Sequence, residues 1–154
     1  MINTGISQEN RKKMATTLNI LLADEYVLYT KTYKFHWNLK SKHFGALHAF
    51  FQDQFEQIIK FVDAVAERIQ QIGHVADGTL TEFLQKTTLT ELPGHNPTDL
   101  EIMQLLLDDH ESIVRNLRDI VSETTEFNDH GTNNFLTDLI EKHEKIAWML
   151  RSHL

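Results

Sequence analysis

The stretch His36–Arg68, HWNLKSKHFGALHAFFQDQFEQIIKFVDAVAER, constrains this chain more than any other. Its pattern is that of a helix end, a short turn from Asn38 to Lys42, and a long second helix from about Phe44 to Ile72, closed by Gly73. An α-helix turns about 100° per residue, so positions 48, 52, 63 and 67 drift across roughly 100° of one face. That face carries His48, Gln52, Asp63 and Glu67. Imidazole and carboxylate on one stripe are the chemistry of metal ligands. Yet His48 and Glu67 are separated by about 28 Å of straight helix, at roughly 1.5 Å per residue. One helix cannot wrap them around one ion.

A two-fold axis brings them together. An antiparallel pair of identical helices, centred between Gln57 and Ile58, sets His48 against the partner's Glu67 and Gln52 against the partner's Asp63. His36, at the end of the preceding helix, is placed to fold over onto His48. The outcome is a shared site made twice per dimer, with two imidazoles from one chain and two carboxylates from the other. The residues alone leave a second reading open, a solvated and salt-bridged stripe.

The rest of the chain reads as long helices. It has 154 residues, enough for one domain with an adequate core, and only six Gly and two Pro, which disfavours a turn-rich β fold. After a short uncharged start, with Ser7 or Asn10 as N-cap, Met14, Leu18, Leu21, Leu22, Val27 and Leu28 recur at helical spacing as far as Trp37. Asp24 and Glu25 fall among these apolar residues and read as solvated or salt-bridged, or as buried ligands of an intra-bundle centre. Phe44, Phe50, Phe51, Phe55 and Phe61 give the second helix more aromatic surface than one core face needs, which suits a permanent dimer contact as well as core packing. Beyond Gly73 a connection reaches Asn96; within it TLTEFLQKTTL predicts a short helix and ELPGHNP is a breaker run. A connection of this length crosses a bundle rather than turning back. A third long helix starts near Pro97 as a first-turn residue, and after EFNDHGTNN a last one runs from about Thr132 to the end. The expected fold class is all-α, a four-helix bundle with a short extra helix in the long crossover between helices two and three, in a single domain spanning 1–154.

Composition excludes several functions. There is no Cys, hence no disulfide framework and no thiolate chemistry. No apolar run is long enough to span a membrane and the polar start is no signal peptide, so a soluble cytoplasmic protein is expected. The net charge of −7 opposes attraction to nucleic acid. A conventional di-iron bundle uses Glu-x-x-His on two helices, and none of the nine histidines has an acidic residue three positions before it. His-Glu-x-x-His is also absent. His43, His74, His95, His130 and His153 fall in turns or at helix ends and read as surface residues. His110 and His143, beside acidic neighbours, read as capping or ion-pair partners.

KFHWN, the Leu47–His48 pair of ALH, VDAVAERI and the terminal AWMLRSHL occur in the order and at the spacings of the Dps family, the ferritin-like proteins of starved cells. The chain resembles that family over nearly its whole length. The resemblance implies a ferritin-like four-helix subunit, a hollow homo-dodecamer and an iron-oxidising centre at each two-fold interface. It assigns the catalytic and metal-binding residues to His36, His48, Asp63 and Glu67. The family's fifth usual ligand is an Asp where this chain has Gln52, which leaves Gln52 and Glu56 as weak or compensating ligands. It further implies acidic three-fold pores, with Asp129 and Asp138 as pore residues and Asn134 at an often acidic position. Trp37 and Trp148 stand where tryptophans intercept stray oxidising equivalents, though packing serves Trp148 as well.

The implied function is a ferroxidase and iron store. Ferrous iron is the substrate, hydrogen peroxide the oxidant, and ferric mineral the product held in the cage. Two alternatives remain: a DNA-coating nucleoid protein, or a cage whose centre is weakened by Gln52. DNA binding is not expected at neutral pH, because the tail before the first helix carries no basic residue, Arg11, Lys12 and Lys13 fall within the helix, and nothing extends beyond Leu154. Charging of the nine histidines in acid would be a separate case.

Overall fold

A computed structural model describes residues 2–154. Five helices follow in order: α1 (Gln8–Asn38), α2 (Phe44–Gln71), α3 (Leu80–Lys86), α4 (Asp99–Glu126) and α5 (His130–Arg151). No strand occurs among the described residues. The all-α class, and the short extra helix in the crossover, are as expected.

Helix ends follow the local chemistry. Ser7 Oγ accepts from the Asn10 N–H at 3.1 Å and caps α1. Thr79 with Glu82, and Thr98 with Glu101, form reciprocal capping boxes at α3 and α4. Two expected starts shift as a result. Pro97 lies just outside α4 rather than in its first turn, because Thr98 is the cap. The last helix starts at His130 rather than Thr132, because Asp129 accepts from the Thr132 N–H at 3.0 Å. Gly73, with φ of +87°, ends the α2 region, and a side chain there would run into Ile2.

α1 pairs with α2, and α4 with α5, each pair joined by a short turn and therefore antiparallel. The long crossover is laced along α1 by polar groups. Asn19 bonds the Val75 carbonyl (3.2 Å) and the Asp77 N–H (2.9 Å); Lys31 donates to the Thr90 carbonyl (2.9 Å); Lys34 donates to the carbonyls of Leu92 (2.7 Å) and His95 (2.8 Å). Ser41, in the turn before α2, donates to Asp99 at the start of α4 at 2.6 Å. The crossover thus climbs the length of α1, and α2 and α4 start at the same end of the bundle. Leu18, Leu22, Leu28, Phe51, Ile58, Ile69, Leu106, Ile113 and Leu150 fill the core between the two pairs.

Asp24 belongs to this lacing. It is buried, its Oδ1 accepts from Thr87 Oγ1 (2.7 Å) and the Thr88 N–H (2.6 Å), and its Oδ2 accepts from Thr88 Oγ1 (2.8 Å). It is neither solvated nor free to bind metal; its work is to hold the end of α3 against α1. Bonds to a charged acceptor contribute about 1.5–3 kcal/mol each without being additive. Asp24→Ala should therefore cost about 2–3 kcal/mol in denaturant unfolding. A loss within experimental error would show that the crossover does not depend on it.

Candidate metal centre

The end of α1 and the start of α2 meet at two histidines. The short turn of residues 39–43 brings His36 and His48 together with ring centroids 3.7 Å apart and planes at 18°. His36 Nδ1 lies 2.8 Å from the His48 carbonyl, and His48 Nδ1 lies 3.0 Å from the His36 carbonyl. A carbonyl only accepts, so each Nδ1 must carry the proton. In the neutral tautomer that this fixes, each ring keeps a bare Nε2, the atom a metal binds, oriented by the hydrogen bond on the other nitrogen. Phe44 stacks on His48 (4.9 Å), and the edge of Phe55 meets His36 (5.1 Å), so the two rings are held between aromatic walls. His36 is buried and His48 half-buried.

Gln52, one turn along α2, is exposed and its Nε2 donates to Glu56 Oε1 at 2.8 Å. The amide oxygen of Gln52 stays available, and Glu56 is tethered beside it. Asp63 and Glu67 are also exposed on α2, roughly 22 and 28 Å along the helix from His48 at about 1.5 Å per residue. Within one chain they do not reach the histidines. Among the described residues no three His, Asp or Glu side chains are arranged to hold a metal ion. Any complete site built from His36 and His48 needs carboxylates from elsewhere.

The comparisons with known proteins decide the family. The ferritin-like domain matches residues 15–154. The chain is 30% identical to "DNA protection during starvation protein 2" of Bacillus anthracis over 93% of this chain and 97% of that protein. It belongs to the Dps family of ferritin-like proteins. A second relative is an uncharacterized low temperature-induced protein of Nostoc, 42% identical over 99% of this chain and 86% of that protein. Among solved structures, a Dps protein from Vibrio cholerae, described as one of the ferritin-like diiron-carboxylate proteins, superposes with a TM-score of 0.92. It is 30% identical, covering 97% of this chain and 94% of that one. DpsC from Streptomyces coelicolor superposes with a TM-score of 0.96 at 28% identity, covering 99% of this chain and 90% of that one.

In this Dps-family chain the two aspartates expected at a pore differ. Asp138 is exposed and pairs with Lys142 one turn on. With Glu67, Glu141 and Asn134 it lines a cleft of about 620 Å³ between α2 and α5. Asp129 is not a surface acid. It is buried, its Oδ1 accepts from Arg68 Nη2 (3.0 Å) as well as from the Thr132 N–H, and its Oδ2 accepts from Thr132 Oγ1 (2.5 Å). A carboxylate neutralised by Arg68 and spent on a helix cap has little left for passing cations, so Asp129 is reassigned to structure. Gly131 leaves room for that arginine, since a Cβ there would lie 2.8 Å from Arg68 Nη2.

Three buried polar residues lie where the sequence reading placed none together. His143 Nε2 meets Glu25 Oε1 at 2.7 Å and His143 Nδ1 meets His110 Nδ1 at 2.8 Å, all three side chains being fully buried. Glu25 is not solvated: it is buried and its polar partner is His143. His110 is not a cap: burial, and then the neighbouring His143, hold its pKa well below 6.5. Both nitrogens of His143 are spent on hydrogen bonds, whereas His110 Nε2 and Glu25 Oε2 are buried without a partner among the described residues. Pairs 33 and 118 residues apart in the chain leave no mark in local sequence. Trp37 and Trp148 are both largely exposed, at 63% and 61%; packing within one subunit does not account for Trp148.

Proposed function

We propose that this protein is a ferroxidase and iron store: a dodecameric cage that oxidises ferrous iron, with hydrogen peroxide, at centres shared across two-fold interfaces. One observation carries the reading, the reciprocal Nδ1–carbonyl hydrogen bonds that leave His36 and His48 with two adjacent bare Nε2 atoms. Asp63 and Glu67 are exposed on the same helix, and an antiparallel dimer of α2 sets them against these imidazoles. Exposed Ile59 and Phe44 and half-buried Phe55 supply apolar surface for that contact.

Ferrous iron, the substrate, would enter along acidic surface that includes Asp138 and bind between His36, His48, the partner's Asp63 and the partner's Glu67. Hard carboxylates suit both oxidation states, and imidazole adds affinity for the ferrous ion. Two ferrous ions give hydrogen peroxide its two electrons and ferric mineral collects in the cavity. With an amide at Gln52, one iron per centre is held well and a second weakly. DNA binding at neutral pH is not expected, because the net charge of −7 opposes attraction to phosphate.

Anaerobic ferrous titration followed by peroxide tests the proposal. The expected result is saturation of one tight site per shared centre, prompt oxidation on adding peroxide, and sedimentation as a closed assembly. A stable 17.9 kDa monomer, or ferrous binding unaffected by His36→Ala, would overturn it.

A further inference from the structure

Phe44 opens α2 and lies one turn before His48, so the two side chains share a face of the helix. Their rings stack with centroids 4.9 Å apart and planes at 25°. His48 in turn stacks on His36, at 3.7 Å and 18°. Two rings cannot cover the same face of one imidazole, so His48 is sandwiched between Phe44 and His36. The hydrogen bond of His48 Nδ1 to the His36 carbonyl, at 3.0 Å, sets the direction in which Nε2 points, but it leaves the ring free to rock about that bond. The two stacks remove this freedom. Core packing does not account for Phe44, which is 46% exposed.

We infer that Phe44 is a positioning residue for the metal centre: it holds the His48 ring in the plane its Nε2 needs and favours the cation-bound imidazole over the bare one. This rests on the ferroxidase reading above. An imidazole that binds a cation through Nε2 takes on part of the positive charge. The face of a phenyl ring carries the negative side of its quadrupole and attracts that charge. A bare, neutral imidazole gains less from the same contact. The phenyl ring also keeps water off the outer face of His48, where the attraction is then less screened. An aliphatic side chain of similar volume would cover the imidazole but present no such face. Phe44 is also placed to contact the partner across α2, and the two roles separate by chemistry. The contact needs apolar area, whereas positioning needs an aromatic face.

The test uses the assembled, metal-free protein titrated anaerobically with cobalt(II), whose visible absorption reports both affinity and ligand geometry. Sedimentation and thermal unfolding are followed on every variant. In Phe44→Leu the affinity should fall on the order of two- to tenfold, the equivalent of one aromatic pair, and the cobalt spectrum should change. Its assembly and unfolding midpoint should stay those of the unmodified protein. Phe44→Tyr keeps the aromatic face and should restore both affinity and spectrum. In a His48→Ala background Phe44→Leu should have no further effect, because no ring is left to position. Equal affinity and spectrum in Phe44→Leu and the unmodified protein would overturn the inference and leave the ferroxidase reading standing. So would a loss of the same size in the His48→Ala background, or a Phe44→Tyr that binds as weakly as Phe44→Leu. If Phe44→Leu and Phe44→Met both fail to assemble while Phe44→Tyr assembles and binds normally, Phe44 serves the partner contact and not the imidazole. Absence of cobalt binding in the unmodified protein would remove the centre itself, and the role of Phe44 with it.

Discussion

Glu25→Ala should be among the most destabilising single substitutions in this chain. Glu25 is fully buried and is the terminal acceptor of the line that runs through His143 to His110. Removing it leaves His143 Nε2 with a proton and no acceptor inside an apolar bundle. Breaking a buried pair by deleting one partner costs about 3–5 kcal/mol. At about 2–4 °C per kcal/mol for a domain of this size, the midpoint of thermal unfolding should fall by roughly 10 °C. Glu25→Gln, which keeps an acceptor oxygen but no charge, should cost less. Replacing all three residues by apolar ones of similar volume should cost less still, since no polar group is then stranded. A drop of only a degree or two for Glu25→Ala would mean that water reaches the cluster. The same burial gives a pH dependence of definite sign. His110 is held below its ordinary 6.5 in the folded protein, whereas the unfolded chain protonates it at that value. Its stabilising contribution is therefore complete above pH 6.5 and is lost progressively as the pH falls below it. His110→Phe should flatten that part of the stability profile.

How much of this was legible in the sequence depends on the range of the interaction. The helices were, because their signals are local: Ser7 as a cap, apolar residues at helical spacing, Gly73 as a stop. The errors are local too. Proline at 97 and the run EFNDHGTNN drew the α4 and α5 starts away from Thr98 and Asp129, whose capping side chains were the better signals. The contact of His36 with His48 was legible because a five-residue turn leaves the two helix ends little choice. Asp24, Glu25, Asp129, His110 and His143 were harder. A charged or imidazole residue on an apolar face gives no sign of which distant group will satisfy it, and Asp24 finds Thr88 some 64 residues away.

The sharpest test of the centre lies at Gln52 and His48. His48→Ala removes an Nε2 and the ring that stacks on His36, while the backbone carbonyl of residue 48 that accepts from His36 Nδ1 remains. Loss of an orienting group alone costs about 10–100-fold in metal affinity or activity, and loss of the ligand should meet or exceed the upper figure. Peroxide-driven oxidation should nearly vanish, and Asp63→Ala should do the same from the other side of the interface. Gln52→Asp works in the opposite direction. It breaks the 2.8 Å bond to Glu56 and sets two carboxylates one turn apart on α2, a repulsion of about 0.2–0.5 kcal/mol in the metal-free protein. A second iron relieves that repulsion and gains a charged ligand, so its affinity should rise on the order of tenfold, in line with the dependence of cation sites on ligand charge. Oxidation should then consume two irons per peroxide. Ferrous binding isotherms and stopped-flow oxidation on the three variants read all of this. If Gln52→Asp changes neither while Glu56→Ala removes the second iron, then Glu56, held in place by the Gln52 amide, already serves as the missing carboxylate. If His48→Ala and Asp63→Ala both oxidise iron at the unmodified rate, the reaction takes place away from the α2 interface and the site is misassigned.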